Sequence, residues 1–229
     1  MPDSSIRFCD TGLVLAAGGS SRRFGAGNKL FADLAGMPVV LHSLKRLSPL
    51  VAQTVLVVPA EAIHDFAVLL QAHGCQDIQL VVGGSERQSS VLAGVKALRE
   101  ELTLVAVQDA ARPLTTADLL ARCVDSARRY GSGIAAHPVT DTIKVADQDG
   151  IVLDTPPRST LWAAETPQCL RIDWLRQAYE HCLGNNIPVT DDAQAVQLLG
   201  HPTRLVPSKT PNLKITRPED LELARLLLA

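Results

Sequence analysis

Short aliphatic runs alternate with amphipathic stretches along most of the chain. Four of the runs are apolar on both faces, which is typical of strands that helices cover on both sides. These predicted strands are Leu13–Ala17, Thr54–Pro59, Ile78–Val82 and Leu104–Val107. Repeated strand–helix–strand units predict an α/β fold with a mostly parallel sheet and right-handed crossovers.

The stretches between and after these strands have helical patterns. The predicted helices are Val39–Leu47, Glu61–His73, Arg87–Glu101, Thr116–Tyr130, Asp173–Leu183 and one that begins at Pro218. Thr116 is a predicted N-cap, and Gly131 follows the end of the same helix. A short strand near Arg204–Val206 and the segment Asn212–Thr216 precede the last helix.

The alternation of strand and helix patterns ends after Gly133–Val139. Asp141–Ala146 and Ile151–Thr155 flank the turn-forming Asp-Gln-Asp-Gly of residues 147–150, which predicts a β-hairpin that projects from the α/β body. A lone hairpin is marginal in water, so we expect this arm to contact a second chain. Without an internal repeat or a low-complexity linker, residues 1–229 are interpreted as a single domain with an arm at about 139–160.

Composition narrows the function classes. The chain has 229 residues, of which 46% are apolar and 20% are charged, as in an ordinary globular protein. Lys plus Arg number 22 and Asp plus Glu number 24, giving a net charge of −2. This balance and an aromatic content of 3% argue against nucleic acid as a partner.

The cysteine pattern indicates a reducing compartment. The five cysteines are odd in number, widely spaced and without a C-x-x-C pair, which fits neither a disulfide framework nor a zinc site. No uninterrupted apolar run approaches the ~20 residues that span a bilayer. We therefore expect a soluble, cytoplasmic protein without a membrane partner.

The first predicted strand runs into a loop rich in glycine and serine, AAGGSSRRFGAGNK at residues 16–29. Backbone N–H groups of such a loop can converge on one anion, and its two arginines and one lysine add positive charge. The patterns G-x-x-x-x-G-K-[ST] and G-x-G-x-x-G both fail to match it. The loop is interpreted as a phosphate cradle of another type, with a solvated connector as the alternative.

Two more loops follow predicted strands. GGSERQSS at 83–90 opens a helix, where its amides and a serine hydroxyl could bind a base or ribose. The alternative there is a glycine turn with a serine N-cap. In QDAARP at 108–113, Asp109 lies at a strand's carboxyl end, a suitable place for a Mg²⁺ ligand. The alternative is a loop aspartate paired with Arg112.

Seven segments occur in an order that resembles a known family. They are AAGGSSRRFGAGNKLF, GGSERQSSV, QDAARP, DTIK, TPQ, TDDA and NLKITRPEDL. The family is that of the 2-C-methyl-D-erythritol 4-phosphate cytidylyltransferases, and the resemblance runs from about Leu13 to Leu223. It implies a Rossmann-like fold, a homodimer formed through the β-arm, and CMP transfer from CTP to a polyol phosphate with Mg²⁺.

The resemblance also implies roles for individual residues. The catalytic cations would be Arg23, Lys29 and Lys214. The nucleotide contacts would be Ala16, Ala17, Gly18, Gly19, Ser20, Gly84, Ser85, Ser90 and Ala110. The polyol phosphate would meet Arg112, Thr142, Arg158, Thr166 and Thr190, some of them from the other subunit. Asp109 would be the Mg²⁺ ligand.

The sequence departs from the family pattern at three places. Ser85 replaces the usual acidic residue after the double glycine, and Leu15 stands where proline is common. The glycine loop is one residue longer before its arginines, so either Arg22 or Arg23 could face the phosphates. Arg23 is the prediction because it keeps its position relative to Phe24.

The chemistry agrees with these roles. A phosphate monoester has a second pKa near 6, so the attacking group is already ionised and needs no general base. The reaction instead needs cations that relieve repulsion between two polyanions and stabilise the leaving pyrophosphate. In Asn212–Thr216, alternation predicts Leu213 and Ile215 in the core and Lys214 facing the nucleotide. The alternative for Lys214 is a solvated strand lysine.

Two other functions stay open at this point. A ribitol 5-phosphate cytidylyltransferase shares most of the segments, although Ala111 in DAARP favours the methylerythritol enzyme. A noncatalytic nucleotide-sensing module would keep the fold without the activity. The presence of Lys29, Lys214 and Asp109 argues against that module.

Overall fold

The structure, a computed structural model, describes residues 8–18, 24–25 and 27–228. Its strands are β1 (Phe8–Ala16), β2 (Asp33–Leu34), β3 (Met37–Pro38), β4 (Val51–Val58), β5 (Gln79–Val82), β6 (Leu104–Asp109), β7 (Ser132–Pro138), β8 (Val145–Ala146), β9 (Val152–Asp154), β10 (Trp162–Arg171) and β11 (Leu205–Pro207). Its α-helices are α1 (Val39–Leu47), α2 (Ile63–Ala72), α3 (Arg87–Lys96), α4 (Ala117–Tyr130), α5 (Ile172–Gly184), α6 (Asp192–Leu198) and α7 (Pro218–Leu228).

Seven strands form the central sheet, in the order β11-β7-β10-β6-β1-β4-β5. β1 pairs in parallel with β4 and β6, and β4 pairs in parallel with β5. β10 runs antiparallel to both of its neighbours, β6 and β7. The predicted fold class, a mostly parallel sheet flanked by helices, is therefore confirmed.

Hydrophobic residues fill both faces of this sheet. In β1, Leu13 and Leu15 pack in one core cluster while Val14 packs in the other, as the alternation of a strand requires. The first cluster takes residues from α1, α2 and α4, such as Leu44. The second takes residues from α3, α5 and α6, such as Tyr179. Both faces of the central strands are dry, which explains their continuous aliphatic runs.

Most predicted helices are present with shifted ends. α3 ends at Lys96, short of the predicted Glu101, and α2 begins at Ile63 after a 3₁₀ turn. The cap predicted for α4 is confirmed, since the Thr116 hydroxyl accepts from the Leu119 N–H at 3.2 Å. Gly131 then takes a φ of 84°, a left-handed conformation that favours glycine.

Several elements differ from the sequence prediction. β7, β10 and α6 were not predicted, and no strand forms at Asn212–Thr216. That segment fails to become a strand because its backbone bonds to site residues rather than to a ladder. Its Asn212 carbonyl accepts from Arg112 at 2.6 Å, and the Ile215 N–H donates to the Ala111 carbonyl at 2.8 Å.

The predicted hairpin is present as a short antiparallel ladder of β8 with β9. Asp147 forms its turn by accepting from the N–H groups of Asp149 and Ile151, at 3.0 and 2.9 Å. Every residue of 140–155 is exposed, including several large apolar side chains: Ile143, Val145, Ile151, Val152 and Leu153.

The described helices include none with the length and apolar character needed to cross a membrane.

Candidate functional site

The site lies where β1 and β6 end side by side. Ala16 and Asp109, the last residues of these two parallel strands, are partners in the ladder. A cavity of about 300 Å³ opens beside them. It is lined by Ala16, Ala17, Gly18, Lys29, Leu30, Ser85, Glu86, Arg87, Ser90, Asp109, Ala111 and Lys214. Carboxyl ends of adjacent parallel strands are the usual binding edge of α/β sheets.

A second cavity of about 880 Å³ shares Gly18, Ser85 and Ser90 with the first, so the two form one continuous cleft. Gly83 and Gly84 also line the larger cavity. The cleft thus brings together most of the nucleotide contacts that the resemblance implied. The predicted residues Gly19, Ser20 and Arg23, and the alternative Arg22, lie outside the described residues.

Asp109 is the charged centre of the smaller cavity and is only 6% exposed. Its Oδ1 accepts from Arg87 at 2.7 Å, and its Oδ2 lies 2.9 Å from Lys214 Nζ and 3.4 Å from Arg112 Nε. Burial raises the pKa of this carboxyl, but the three cations outweigh burial and hold its pKa well below the ordinary value. These pairs stabilise the fold above the unfolded pKa and are lost as pH falls through the folded pKa.

Arg87 links Asp109 to a second buried carboxylate. Its other terminal nitrogen lies 2.8 Å from Asp192, which has no exposed surface. Asp192 also accepts a hydrogen bond from the Tyr179 hydroxyl. The charge of Asp192 raises the pKa of Arg87, and burial, followed by that same charge, raises the pKa of Tyr179. α3, β6, α5 and α6 therefore meet at one buried network.

The lysines implied as catalytic both lie at this cavity. Lys214 pairs with buried Asp109 while 42% of its own side chain is exposed, and it lies outside any strand of the structure. Lys29 Nζ donates to the Ile215 carbonyl at 2.8 Å. Ile215 is fully buried and Leu213 packs partly against the core, as the predicted alternation required. The chain between β11 and α7 thus brings Lys214 to the same cavity as Lys29.

The N-terminus of helix α3 is capped by Glu86 and not by a serine. Glu86 and Ser89 form a reciprocal capping box at the start of the helix. Ser90, one residue further, donates from its hydroxyl to the Gly84 carbonyl at 3.1 Å and fixes the glycine turn. Ser85 faces both cavities without a role in this cap. The cap and the predicted nucleotide contact are therefore compatible.

Three other predicted residues touch Asp109 or its strand. The N–H of Ala110 donates to the Ala16 carbonyl at 3.1 Å and joins the two strand ends. The Arg112 guanidinium pairs with Asp109, which was the alternative interpretation of Asp109. The Thr166 hydroxyl, on β10, accepts from the Asp109 N–H at 3.0 Å. Asp109, the implied Mg²⁺ ligand, is therefore adjacent to Arg112 and Thr166, which are implied contacts of the acceptor.

The remaining implied acceptor contacts do not line this cleft. Thr142 lies on the exposed arm, and Arg158 at its base donates to the Thr140 carbonyl at 2.7 Å. Thr190 is exposed just before α6 and bonds to Gln194. A single chain therefore gathers Lys29, Asp109 and Lys214 at one cavity and leaves Thr142 and Arg158 outside its lining.

Sequence reasoning missed Arg87, Asp192, Tyr179 and Glu165. Arg87 and Asp192 stand inside the quoted segments GGSERQSSV and TDDA, so those segments contained the signal. For Tyr179 and Glu165, the sequence offers no local signal. Among the residues that the structure describes, no group of three His, Cys, Asp or Glu side chains could hold a metal by itself.

Fold and site together define a nucleotidyltransferase of the mostly parallel, Rossmann-like α/β class. The family model of the 2-C-methyl-D-erythritol 4-phosphate cytidylyltransferases matches residues 11–229. The chain belongs to this family. The family and enzyme class predicted from the sequence are thereby confirmed.

Individual relatives agree with that assignment. The 2-C-methyl-D-erythritol 4-phosphate cytidylyltransferase of Symbiobacterium thermophilum is 40% identical over 94% of this chain and 92% of its own length. The protein of the same name from Parasynechococcus marenigrum is 41% identical over 95% and 97%. The crystal structure of a 4-diphosphocytidyl-2C-methyl-D-erythritol synthase from Anaerococcus prevotii superposes with a TM-score of 0.85 at 26% identity, covering 99% of both chains.

Proposed function

We propose that this chain transfers the cytidylyl group of CTP to 2-C-methyl-D-erythritol 4-phosphate, giving 4-diphosphocytidyl-2-C-methyl-D-erythritol and pyrophosphate. The observation that carries the proposal is the convergence of Lys29, Lys214 and Asp109 on one cavity at the glycine-rich loop. Membership of the family supports CTP as the donor and the methylerythritol phosphate as the acceptor.

The two parts of the cleft suit the two parts of CTP. The larger cavity, with Gly83, Gly84, Ser85 and Ser90, offers backbone and hydroxyl groups for cytosine and ribose. The smaller cavity carries the lysines and so suits the triphosphate. Glycines without side chains allow the backbone N–H groups to approach the phosphates closely.

The reaction proposed is a direct in-line displacement. An oxygen of the acceptor's phosphate attacks the α-phosphorus of CTP and forms a new P–O bond. The bond from the α-phosphorus to the oxygen that bridges the β-phosphate breaks, and pyrophosphate leaves with that electron pair. Lys29, Lys214 and the predicted Arg23 would offset the charge that develops, so no general base is required.

Asp109 would hold the Mg²⁺. An ionised carboxylate offers about four acceptor sites, and Arg87, Arg112 and Lys214 use three of them here. One acceptor site of Asp109 therefore stays available. Mg²⁺ commonly binds through one or two carboxylates and completes its shell with substrate phosphates and water, so a single carboxylate beside the triphosphate fits this ion. When bound, the ion would neutralise charge on the triphosphate.

Asp109→Asn tests the metal role. Because the amide keeps the size of the side chain but loses its charge, we expect the Mg²⁺ concentration at half-maximal rate to rise by about tenfold or more. Titration of steady-state rate with Mg²⁺ measures this, and Asp173→Asn, at the exposed pair with Arg171, is the matched control. Near wild-type turnover of Asp109→Asn at limiting Mg²⁺ would refute the role.

The arm would join two copies of the chain into a homodimer. Its exposed apolar residues have little to pack against on their own subunit, and burying them on a second copy removes that surface from water. The same exchange would bring Thr142 and Arg158 to the acceptor in the partner's site. Each subunit of this dimer would be a single domain of residues 1–229, with the arm at about 139–160.

Leu153→Glu tests the arm. Leu153 is 65% exposed in one chain, so a charge there should weaken only the dimer and reduce activity with it. Sedimentation at micromolar concentration beside an activity assay measures both effects. Val68→Glu, on α2 and 52% exposed, is the control. A wild-type chain that is monomeric and fully active would contradict this proposal.

Pyrophosphate release from CTP tests the activity itself. We expect release with 2-C-methyl-D-erythritol 4-phosphate and much slower release with ribitol 5-phosphate under the same conditions. A faster rate with ribitol 5-phosphate would identify the alternative cytidylyltransferase. No release with either acceptor would support the nucleotide-sensing module.

The location proposed is the cytoplasm. Cys123, Cys169 and Cys182 are free and buried, as expected of thiols that a reducing compartment maintains.

A further inference from the structure

The segment 208–216, here called the strap, crosses the site between β11 and α7 without helix or strand. The strap carries Lys214, and its Asn212 and Ile215 carbonyls accept from Arg112 and Lys29 at 2.6 and 2.8 Å. Its first N–H, that of Ser208, donates to the Ala136 carbonyl of β7 at 2.7 Å, and the Ile215 N–H donates to the Ala111 carbonyl at 2.8 Å. Between these two residues its place depends on scattered side-chain and backbone bonds. The position of Lys214 is therefore only as fixed as the strap.

Glu165 on β10 holds the middle of the strap. The carboxylate is only 6% exposed. Its Oε2 accepts from the Ser208 hydroxyl at 2.6 Å and from Asn212 Nδ2 at 3.0 Å, and both donors belong to the strap. Its Oε1 lies 2.7 Å from His137 Nδ1 on β7. One buried carboxylate thus joins two strands to the strap.

Asn212 connects these hydrogen bonds of Glu165 to the neighbourhood of the Lys214–Asp109 ion pair. The residue is 5% exposed, and its Nδ2 also donates to the Thr166 carbonyl at 2.7 Å. Its Oδ1 accepts from the Thr115 hydroxyl at 2.8 Å. Lys214 follows two residues later, and its Nζ lies 2.9 Å from Asp109. Adjacent β10 residues therefore hold both partners of that pair, because Thr166 accepts from the Asp109 N–H and Glu165 fixes the strap.

We propose that Glu165 is a positioning residue for Lys214, acting through Ser208 and Asn212 of the strap. A buried carboxylate is costly to desolvate and rarely adds net stability over an apolar side chain. Its use here is to fix where the strap lies, since its Oε2 takes donors from two points of the strap, Ser208 and Asn212. The inference rests on the proposed function, in which the Lys214 ammonium meets the transferring phosphate.

Glu165→Gln changes the hydrogen bonds between residue 165 and the strap with little change in side-chain size. The amide oxygen can still accept from the strap, but it lacks the negative charge of the carboxylate, and hydrogen bonds to a charged acceptor are about twice as strong as neutral ones, so the bonds from Ser208 and Asn212 both weaken. Because small misplacement of a catalytic group is expensive in rate, we expect kcat to fall about 10- to 100-fold while KM for CTP stays within about threefold. Ser208→Ala, which removes one of the same bonds, should lower kcat in the same direction by less.

The decisive experiment is a double-mutant cycle on kcat. If Glu165 acts through Lys214, Glu165→Gln has no further effect once Lys214 is alanine. His137→Ala, which leaves both strap bonds in place, is the control and should keep kcat within about twofold. A melting curve for each variant confirms that the rates belong to folded protein.

Each outcome of the cycle decides the proposal. Additive effects, or an unchanged kcat in Glu165→Gln, overturn the positioning role while Lys214→Ala still supports the proposed function. An unchanged kcat in Lys214→Ala overturns the catalytic role and the positioning role together. If Glu165→Gln fails to fold, the same cycle is read with Ser208→Ala.

Discussion

Replacing Lys214 with alanine is expected to lower kcat by about 10²-fold or more, equivalent to roughly 2.7 kcal/mol of lost transition-state stabilisation. The ammonium lies at the smaller cavity, 2.9 Å from Asp109. In the proposed reaction it would meet charge that develops as pyrophosphate leaves, so its contribution would be realised mainly in the transition state. Steady-state kinetics with CTP and the acceptor measure the effect.

The fold should survive this change. Asp109 keeps Arg87 and Arg112 when Lys214 is lost, so the buried carboxylate is never unpaired. We expect the free energy of unfolding to fall by about 1 kcal/mol at most. Lys96→Ala, which removes a comparably exposed lysine from a pair with Glu180, is the matched control and should not alter kcat. An unchanged kcat in Lys214→Ala refutes the role, and a large fall in melting temperature would assign Lys214 to structure instead.

The parallel part of the sheet could be predicted because its physics is local. β1, β4 and β6 are buried on both faces, so their sequences are aliphatic runs that need no knowledge of neighbours. β10 could not be predicted in the same way. Its residues Glu165, Thr166 and Gln168 are polar yet buried, because their partners come from distant parts of the chain.

The polar character that hid β10 is connected to the site. Thr166 accepts from Asp109, and Gln168 donates to Asp191 at the start of α6. A polar residue in a strand interior is stable only when it is hydrogen-bonded, and the bonds here lead to the cleft. The strand that breaks the hydrophobic pattern is thus the one that carries the supports of the site.

The candidate site was predicted as a set of residues but not as a network. The positions of Lys29, Asp109 and Lys214 in quoted segments identified them, whereas their partners follow only from topology. Arg87 bridges Asp109 and Asp192, which lie 22 and 105 residues away from it along the chain. No local pattern encodes a contact of that span.

Replacing Arg87 with methionine is expected to lower the free energy of unfolding by about 3 kcal/mol or more. Asp192 has no exposed surface, and within the part of the chain that the structure describes its other side-chain hydrogen bond comes from the Tyr179 hydroxyl. Removing one member of a buried pair leaves an uncompensated charge, which costs more than the pair itself contributes. Urea unfolding measures the loss. Arg171→Met, at an exposed pair with Asp173, should cost about 1 kcal/mol or less.

A second substitution separates the buried charge from lost packing. In Arg87→Met with Asp192→Asn, the uncompensated charge at Asp192 is gone, so much of the lost stability should return. Asp109 keeps Lys214 and Arg112 in both variants and therefore contributes little to the difference. Two results would contradict the electrostatic account. One is a single variant that loses no more than the Arg171→Met control, and the other is a double variant that recovers nothing, since packing alone would then explain the loss.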